Sequence, residues 1–170
     1  LNTSPVRFNF FKLIEEVTSE LEVKANEKGL IFSCIIDKDV PEWVNSDPMK
    51  LKKILTNIVS NGVKFTSKGS VKIHVSKGHG RKLKIRVEDT GIGITKDQLE
   101  RLFQLFTQVD ESLTRKFGGA GLGLIFSQKL ARVLGGDIVL VSSVIGQGSV
   151  FEITFESAKD LPSTEVRGLD

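Results

Sequence analysis

The chain has 170 residues, of which 39% are hydrophobic and 26% charged, a composition that predicts one soluble globular domain with a sizeable core. No apolar run approaches the ~18 residues that a membrane span needs, and the first residues lack the charged-then-apolar layout of a signal peptide. The net charge of +3 comes from basic residues spread along the chain, which does not indicate nucleic-acid binding. The single cysteine, Cys34, excludes an internal disulfide framework.

The first part of the chain predicts a linker, a helix and two extended pieces. Residues 1–11 have an irregular pattern and are predicted to be a linker leading into the domain. Apolar residues at helical spacing predict a first helix over 9–28, and Gly29 suits its end. Residues 30–36 are rich in strand formers, and residues 40–44 predict a short extended segment.

Residues 46–66 predict a second, amphipathic helix. Ser46 or Asp47 can cap its N-terminus, and Pro48 suits its first turn because proline has no N–H to leave unpaired. The apolar residues of this helix fall on one arc: Leu51, Ile54, Leu55, Ile58 and Val59.

A polar stripe, formed by Asn57, Asn61 and Lys64, runs along the edge of that apolar arc. Two asparagines one turn apart on a half-buried edge need partners for their amides. A carboxamide oxygen can join a Mg²⁺ shell of water and phosphate oxygens, and a lysine one turn further supplies a phosphate counter-charge. The stripe therefore predicts a metal–triphosphate edge, and the alternative is a solvated helix boundary.

A hairpin is predicted next, because residues 71–75 and 83–87 alternate between apolar and polar side chains. Its second strand ends at Asp89, directly before the turn Gly91-Ile92-Gly93. A carboxylate over a glycine turn can accept from the exocyclic amine of adenine, a charge-assisted bond worth about 1.5–3 kcal/mol. The alternative is a turn residue that hydrogen-bonds its own backbone.

Residues 95–103 carry a capping-box pattern and predict a short helix, and the aperiodic residues 104–118 predict a mobile loop. The run from Gly118 to Leu124 opens a further helix that ends near Gly135. Backbone amides at its N-terminus can wrap an anion, and the alternative is a hinge with a helix cap. A Walker P-loop is excluded because its consensus occurs nowhere, and the dinucleotide fingerprint lacks its third glycine.

Residues 138–141 and 150–155 predict a second hairpin, and the polar residues 157–170 predict a tail or linker. The domain proper is therefore predicted over residues 12–156. Helices and antiparallel hairpins, rather than βαβ units, predict an α/β fold. We expect a two-layer α/β sandwich, with one mixed, mostly antiparallel sheet and helices packed on one face.

Four ordered motifs make a resemblance to a known family specific: Asn57-x-x-x-Asn61-Gly-Val-Lys64-Phe65, Asp89-x-Gly91-x-Gly93, Leu102-Phe103-x-x-Phe106-x-Gln108 and Gly118-Gly-x-Gly-Leu-Gly-Leu124. They resemble the N, G1, F and G2 boxes of the sensor histidine kinase catalytic domain. That family shares its Bergerat-type nucleotide fold with gyrase and other type II topoisomerases, Hsp90 chaperones and mismatch-repair ATPases. The resemblance covers nearly the whole chain.

The resemblance implies roles for individual residues. Asn61 would hold the Mg²⁺ ion of Mg-ATP, Asn57 would support it, and Lys64 would lie near the phosphates. Phe65 would line or stack on the adenine pocket, and Asp89 would receive the adenine amine.

The other nucleotide-binding residues that the resemblance implies lie in the two glycine motifs and the loop between them: Gly91, Ile92, Gly93, Arg115, Gly119, Gly121, Leu122, Gly123 and Leu124. The first glycines would let the backbone approach the base, and the later ones would hinge and cap a phosphate lid. Arg115 would reach a phosphate. Phe103 and Phe106 would dock the lid or simply pack in the core.

Three departures from the family pattern stand out: Gly62 replaces Ala, Gln104-Leu105 replaces Glu-Pro, and Ala120 replaces Thr. Gly62 should cost the helix about 1 kcal/mol relative to Ala. The two lid substitutions bear on lid closure and rate more than on nucleotide binding.

The resemblance implies the catalytic domain of a two-component sensor histidine kinase, which transfers the γ-phosphate of ATP to a histidine on a separate dimerisation domain. Neither His74 nor His79 sits in the family's phosphoacceptor sequence. Two alternatives stay open: a regulatory ATP-binding module without transfer activity, and an ATP hydrolase of the same fold. Hydrolysis is disfavoured because Asn57 stands where hydrolysing relatives place a glutamate base.

The resemblance also implies partners and a location. The segment from Gln108 to Arg115 resembles hybrid kinases, so a response-regulator receiver domain is expected downstream, and residues 157–170 would link to it. We expect a cytoplasmic domain without nucleic-acid or direct membrane contact, in a parent protein that can be an inner or plasma membrane sensor.

Overall fold

The computed structural model describes residues 4–93, 97 and 119–159, and only the backbone of residues 119–122. Its elements follow in this order: β1 (Val6–Asn9), α1 (Phe10–Glu27), β2 (Ile31–Ile36), β3 (Trp43–Ser46), α2 (Pro48–Phe65), β4 (Ser70–Lys77), β5 (Lys82–Asp89), α3 (Gly119–Val133), β6 (Asp137–Val144) and β7 (Gly148–Glu156). Strands β2-β4-β5-β7-β6 form one sheet, in which β2 and β4 are parallel and the other neighbours antiparallel. Strands β1 and β3 form a separate antiparallel pair.

One face of the five-stranded sheet is apolar and covered by helices. Alternate residues of its central strands are buried: Val71, Ile73, Val75, Leu83, Ile85, Val87, Phe151, Ile153 and Phe155. Helices α1, α2 and α3 pack side by side over these residues. The opposite face carries charged side chains, among which Glu152 pairs with Arg86 at 3.2 Å. The predicted two-layer α/β sandwich is therefore confirmed.

The two N-terminal helices begin where the sequence predicts, because a side chain caps each of them. The Oδ1 atom of Asn9 accepts from the Lys12 N–H at 3.0 Å. The Oδ1 atom of Asp47 accepts from the Lys50 N–H at 3.1 Å, directly before Pro48. Each cap satisfies one of the backbone donors that a helix start leaves without an intrahelical partner.

The prediction that residues 1–11 are irregular is wrong from Val6 onward. Residues Val6–Asn9 form β1, which pairs with β3, and Phe10 begins α1. The Phe10 side chain is fully buried and meets the Phe155 ring edge to face, with centroids 5.3 Å apart. A four-residue strand whose partner lies far along the chain leaves too short a pattern to be recognised. The limits of the domain itself stay a prediction.

Residues 157–159, part of the predicted tail, are tied to β3 through Asn45, which is 4% exposed. The Asn45 backbone N–H donates to Ser157 Oγ at 3.0 Å, and its carbonyl accepts from the Ala158 N–H at 2.8 Å. Its side-chain amide donates to the carbonyl oxygens of Ala158 at 3.2 Å and Lys159 at 3.3 Å. Strand β3 therefore lies between β1 and this segment.

The remaining predicted elements have mixed outcomes. The helix predicted to begin in the run from Gly118 to Leu124 and the second hairpin are confirmed as α3, β6 and β7. The predicted helix over 95–103 and the predicted loop over 104–118 lie outside the described residues, apart from Asp97. None of the helices in the described part of the chain combines the length and apolar character needed to cross a bilayer.

Candidate nucleotide-binding site

The three residues of the polar stripe lie along the C-terminal half of α2. This helix packs between α1 and α3 and against β4 and β5. Asn57 and Asn61 are partly buried, and Lys64 is exposed. The stripe therefore follows the edge of the buried arc toward the end of the helix.

Asn57 joins α2 to α3. Its Nδ2 atom donates to the Oγ atom of Ser127 at 2.9 Å, and Ser127 is 2% exposed. A Cβ atom built on Gly123 would lie only 2.6 Å from Asn57 Oδ1 and 2.7 Å from Nδ2. The structure therefore brings Asn57 and Gly123, both predicted site residues, into direct contact.

Asn61 lies one turn beyond Asn57, and its amide makes no hydrogen bond to any of the described residues. No group of three or more His, Cys, Asp or Glu side chains that could hold a metal lies among those residues. If a metal ion binds at this edge, the oxygen of the Asn61 amide is available to it as a ligand.

Lys64 and Phe65 interact at the end of α2. The Lys64 Nζ atom lies 5.5 Å from the centroid of the Phe65 ring, a cation–π contact. The last carbonyls of the helix are satisfied by Lys28, whose Nζ atom donates to Val63 at 2.6 Å and to Lys64 at 3.1 Å. Lys28 thus stabilises the turn that carries Lys64 and Phe65.

Asp89, at the end of β5, is the one predicted acidic site residue, and it is partly buried. Its Oδ1 atom accepts from the Gly91 N–H at 2.9 Å. Burial raises the pKa of Asp89 by more than the backbone N–H groups of Gly91 and Ser149 lower it. No cationic side chain among the described residues pairs with it. The carboxylate therefore has spare acceptor capacity for a ligand.

Two glycines let backbone segments close around Asp89. A Cβ atom on Gly91 would overlap the Phe65 carbonyl oxygen and would lie 2.9 Å from Asp89 Oδ1. A Cβ atom on Gly148 would overlap the Asp89 carbonyl oxygen, and Gly148 has a φ angle of +119°. No other residue fits either position without displacing the backbone.

The turn after Asp89 packs against the turn between β6 and β7. The Ile92 carbonyl accepts from the Gly146 N–H at 2.9 Å, and Gly93 lies against the Val144 carbonyl. The Ile92 side chain is 65% exposed. This turn is therefore held through its backbone, and the isoleucine side chain stays accessible.

The G2-like motif is only partly described. Gly119, Gly121 and Leu122 lie in the first turn of α3, where the backbone alone is described. Leu124 is 4% exposed and belongs to the hydrophobic core, so a nucleotide contact there would involve its backbone. Arg115 and the motif containing Phe103 and Phe106 lie outside the described residues.

Sequence reasoning missed several residues that shape this region. The predicted second hairpin does not place Gly148 and Ser149 beside Asp89, because that position depends on the β5–β7 register. Ser127 carried a usable signal, since it is a polar residue one turn after Gly123 on an otherwise apolar face. Thr66, the residue after Phe65, is fully buried, and its Oγ1 atom has no partner among the described residues.

Thr90 was also missed. Its Oγ1 atom accepts from the Ser70 N–H at 3.0 Å and donates to the Lys68 carbonyl at 3.2 Å. It thereby joins the turn after Asp89 to the loop between α2 and β4. The two ends of the region, α2 and the Asp89 turn, are consequently held in a fixed relation.

Comparisons with known proteins find similar sequences and similar structures. The family model for the histidine kinase-, DNA gyrase B-, and HSP90-like ATPase matches residues 46–159, more than half of the chain. The signal transduction histidine-protein kinase BarA of Escherichia coli (strain K12) is 41% identical over 150 residues, which cover 86% of this chain and 16% of BarA. Hybrid signal transduction histidine kinase F of Dictyostelium discoideum is 37% identical over 158 residues, covering 91% of this chain and 14% of that kinase.

A solved structure extends the comparison. Full-length ShkA in complex with AMPPNP is similar with a TM-score of 0.77 and 29% identity, covering 93% of this chain and 32% of ShkA. The chain spans less than a fifth of the length of the curated relatives named above.

Proposed function

Because the chain belongs to the histidine kinase-, DNA gyrase B-, and HSP90-like ATPase family, we propose that it is the ATP-binding catalytic domain of a two-component sensor histidine kinase. It binds Mg-ATP and transfers the γ-phosphate to a histidine on a separate dimerisation domain. The observation that carries the proposal is the Asp89 carboxylate, which is partly buried, has no cationic partner among the described residues and is enclosed by glycine backbone.

Asp89 selects adenine. The Gly91 N–H fixes the carboxylate at the end of β5, and its remaining acceptor capacity takes the exocyclic amine of the base. Guanine presents a carbonyl oxygen in that position, which a carboxylate repels. The charge-assisted bond to adenine is worth about 1.5–3 kcal/mol. The hydroxyl of Thr66, which has no partner among the described residues, adds a further polar group next to Phe65.

The residues present fit a magnesium ion that arrives with the triphosphate. Mg²⁺ keeps several waters and is commonly held by one or two protein oxygens together with substrate phosphates. Asn61 supplies a partly buried amide without a protein partner among the described residues, and a carboxylate cluster is not needed for this mode. The bound ion would neutralise charge on the phosphates during transfer.

Lys64 changes partner when ATP binds. Its Nζ atom now lies over one face of the Phe65 ring, where it also covers apolar surface. A movement of this exposed side chain toward the phosphates would supply positive charge there and uncover the ring for the base. One side-chain rearrangement thus serves both ends of the nucleotide.

The hydrogen bonding and the chemistry of the Asn57 amide favour phosphoryl transfer over hydrolysis. Its amide nitrogen is committed to Ser127 at 2.9 Å, and a carboxamide is a poor general base for activating water. The Nε2 atom of His74 pairs with Asp37 Oδ1 at 2.8 Å on the helix-free face of the sheet. His79 lies in the exposed turn between β4 and β5. Neither histidine is placed to receive the phosphate, which is consistent with an acceptor on another domain.

The partners and location of the parent protein are proposals of the same kind. The name of the Dictyostelium relative identifies it as a hybrid kinase. We infer that a receiver domain follows this domain and that the domain works in the cytoplasm.

The test is to incubate the chain with γ-labelled Mg-ATP, with and without the dimerisation domain of its own parent kinase. Label on a histidine of that domain is the expected result. Free phosphate without transfer would identify a hydrolase, and nucleotide binding without reaction would identify a regulatory module. Calorimetry with Mg²⁺ and a non-hydrolysable ATP analogue supplies the control, because the absence of binding by folded protein would overturn the proposal.

A further inference from the structure

Ser127 is a buried polar side chain that none of the motifs includes. It is 2% exposed and lies on α3 among buried apolar neighbours such as Leu124, Leu130 and Ala131. A hydroxyl in such surroundings requires a hydrogen-bond partner. Its partner is the Asn57 amide on α2, at 2.9 Å.

We propose that Ser127 is a positioning residue for the nucleotide site. It fixes the carboxamide of Asn57 and thereby locks the first turns of α3 onto the helix that carries Asn61. This inference rests on the proposed function, since the two segments that it joins are those proposed to hold the phosphates and the metal.

The geometry is specific to one amide. Gly123 and Ser127 are four residues apart on a helix and therefore lie on the same face, one turn from each other. Gly123 leaves the space that the amide occupies, because a Cβ atom there would lie 2.6–2.7 Å from both amide atoms. Ser127 supplies the oxygen that receives the Nδ2 donor. The two positions form a notch on α3 that the Asn57 side chain fills.

The notch gives Asn57 and Asn61 different roles. While Asn57 is held between the helices, its amide is committed to α3. The Asn61 amide, one turn further, has no partner among the described residues and stays available to a ligand. Removing the Ser127 hydroxyl frees Asn57 to rotate and leaves a partly buried N–H without its acceptor, so α3 loses its fixed position relative to Asn61.

The first experiment compares Ser127→Ala with Ser60→Ala by calorimetry with Mg²⁺ and a non-hydrolysable ATP analogue. Ser60 is a matched control, because its hydroxyl donates to the backbone carbonyl of Asn57 at 3.1 Å rather than to its amide. We expect Ser127→Ala to weaken binding about 3- to 10-fold, which corresponds to the loss of one hydrogen bond, and Ser60→Ala to change it less than about twofold.

A double-mutant cycle separates positioning from general packing. If Ser127 acts through Asn57, Ser127→Ala should have almost no further effect in an Asn57→Ala background. Gly123→Ala provides a second variant that breaks the same bond without touching Ser127, by placing a methyl group in the notch. Additive losses from Ser127→Ala and Asn57→Ala would overturn the positioning role.

A nucleotide-free measurement distinguishes this inference from the proposed function. The side-chain amide protons of Asn57, observed by NMR, should exchange slowly with solvent in the wild type and in Ser60→Ala, and quickly in Ser127→Ala. If the wild type binds the analogue but the amide protons are indifferent to Ser127, the Ser127 inference alone is wrong. If those protons respond but the wild type binds no nucleotide, the proposed function fails, and the nucleotide role of Ser127 fails with it.

Discussion

The two ends of the proposed site are closed by different parts of the chain. At the adenine end, Gly91 and Gly148 lie against backbone carbonyls, those of Phe65 and Asp89. At the phosphate end, Gly123 lies against the side-chain amide of Asn57. A carbonyl in a sheet or at a helix end moves only if the backbone moves, whereas an amide can change its rotamer. The adenine end is therefore fixed by the fold, whereas the described contact at the phosphate end, between Gly123 and Asn57, is adjustable.

The largest expected effect tests the rigid end through Gly148→Ala. The added Cβ atom would overlap the Asp89 carbonyl, and the residue would have to adopt a φ angle of +119°. Strain and overpacking together should lower the free energy of unfolding by about 3 kcal/mol, measured by denaturant titration. Gly146→Ala is the matched control, with a φ angle of +81° and no neighbouring atom within 4 Å. This control should lower the free energy of unfolding by about 1 kcal/mol. Equal losses in both variants would contradict the view that the Asp89 carbonyl restricts the position of Gly148.

The next effect concerns base selection by the same end. Asp89→Asn removes the charge that receives the adenine amine, so the preference for ATP over GTP analogues should fall by about 1.5–3 kcal/mol. Glu88→Gln is the control, because Glu88 is adjacent in β5 but faces the opposite side of the sheet. Competition binding with both nucleotides provides the measurement. An unchanged preference in Asp89→Asn would remove Asp89 from base recognition.

A smaller effect should appear in the pH dependence of stability. Burial raises the pKa of Asp89, so the folded protein holds this proton more tightly than the unfolded chain does. Compared with Asp89→Asn, the wild type should therefore become less stable to unfolding as pH rises from the ordinary aspartate pKa through the raised pKa of Asp89. Above that raised pKa, the difference in the free energy of unfolding should stay constant. Nucleotide binding should change in the opposite sense, because it needs the ionised acceptor. Paired unfolding and binding curves would reveal both trends.

The smallest effect is expected at Gly62, which differs from the glycines at the two ends of the site because its position can accept a side chain. Gly62, in α2, leaves room for a methyl group, since an added Cβ atom would make ordinary van der Waals contacts with Val71 at 3.5 Å and with Asp89 Cβ at 3.7 Å. Gly62→Ala should raise the free energy of unfolding by about 1 kcal/mol, through helix propensity and reduced freedom of the unfolded chain. Thermal unfolding measures this gain. A loss instead would mean that the contact with the Asp89 strand is tighter than these distances indicate.

Much of this site could be predicted from local sequence. Caps such as Asp47 and the stripe formed by Asn57, Asn61 and Lys64 follow from helical spacing, and Asp89 before its glycine turn follows from strand alternation. These features depend only on neighbours a few residues apart.

The features that could not be predicted depend on how distant segments are aligned. The position of Gly148 beside Asp89 depends on the register between β5 and β7. The bond from Asn57 to Ser127 depends on the rotation of α3 against α2, and β1 acquires its regular structure only by pairing with β3. No local pattern specifies these alignments, because each is decided by packing over the whole core.

The position of Asn45 has a mechanical consequence. Strand β3 is bonded on one side to Val6–Asn9 and on the other to residues 157–159. A load applied along the first of these segments would be carried in shear into the second without crossing the five-stranded sheet. Tension at either flank would thus be felt at the other through β3.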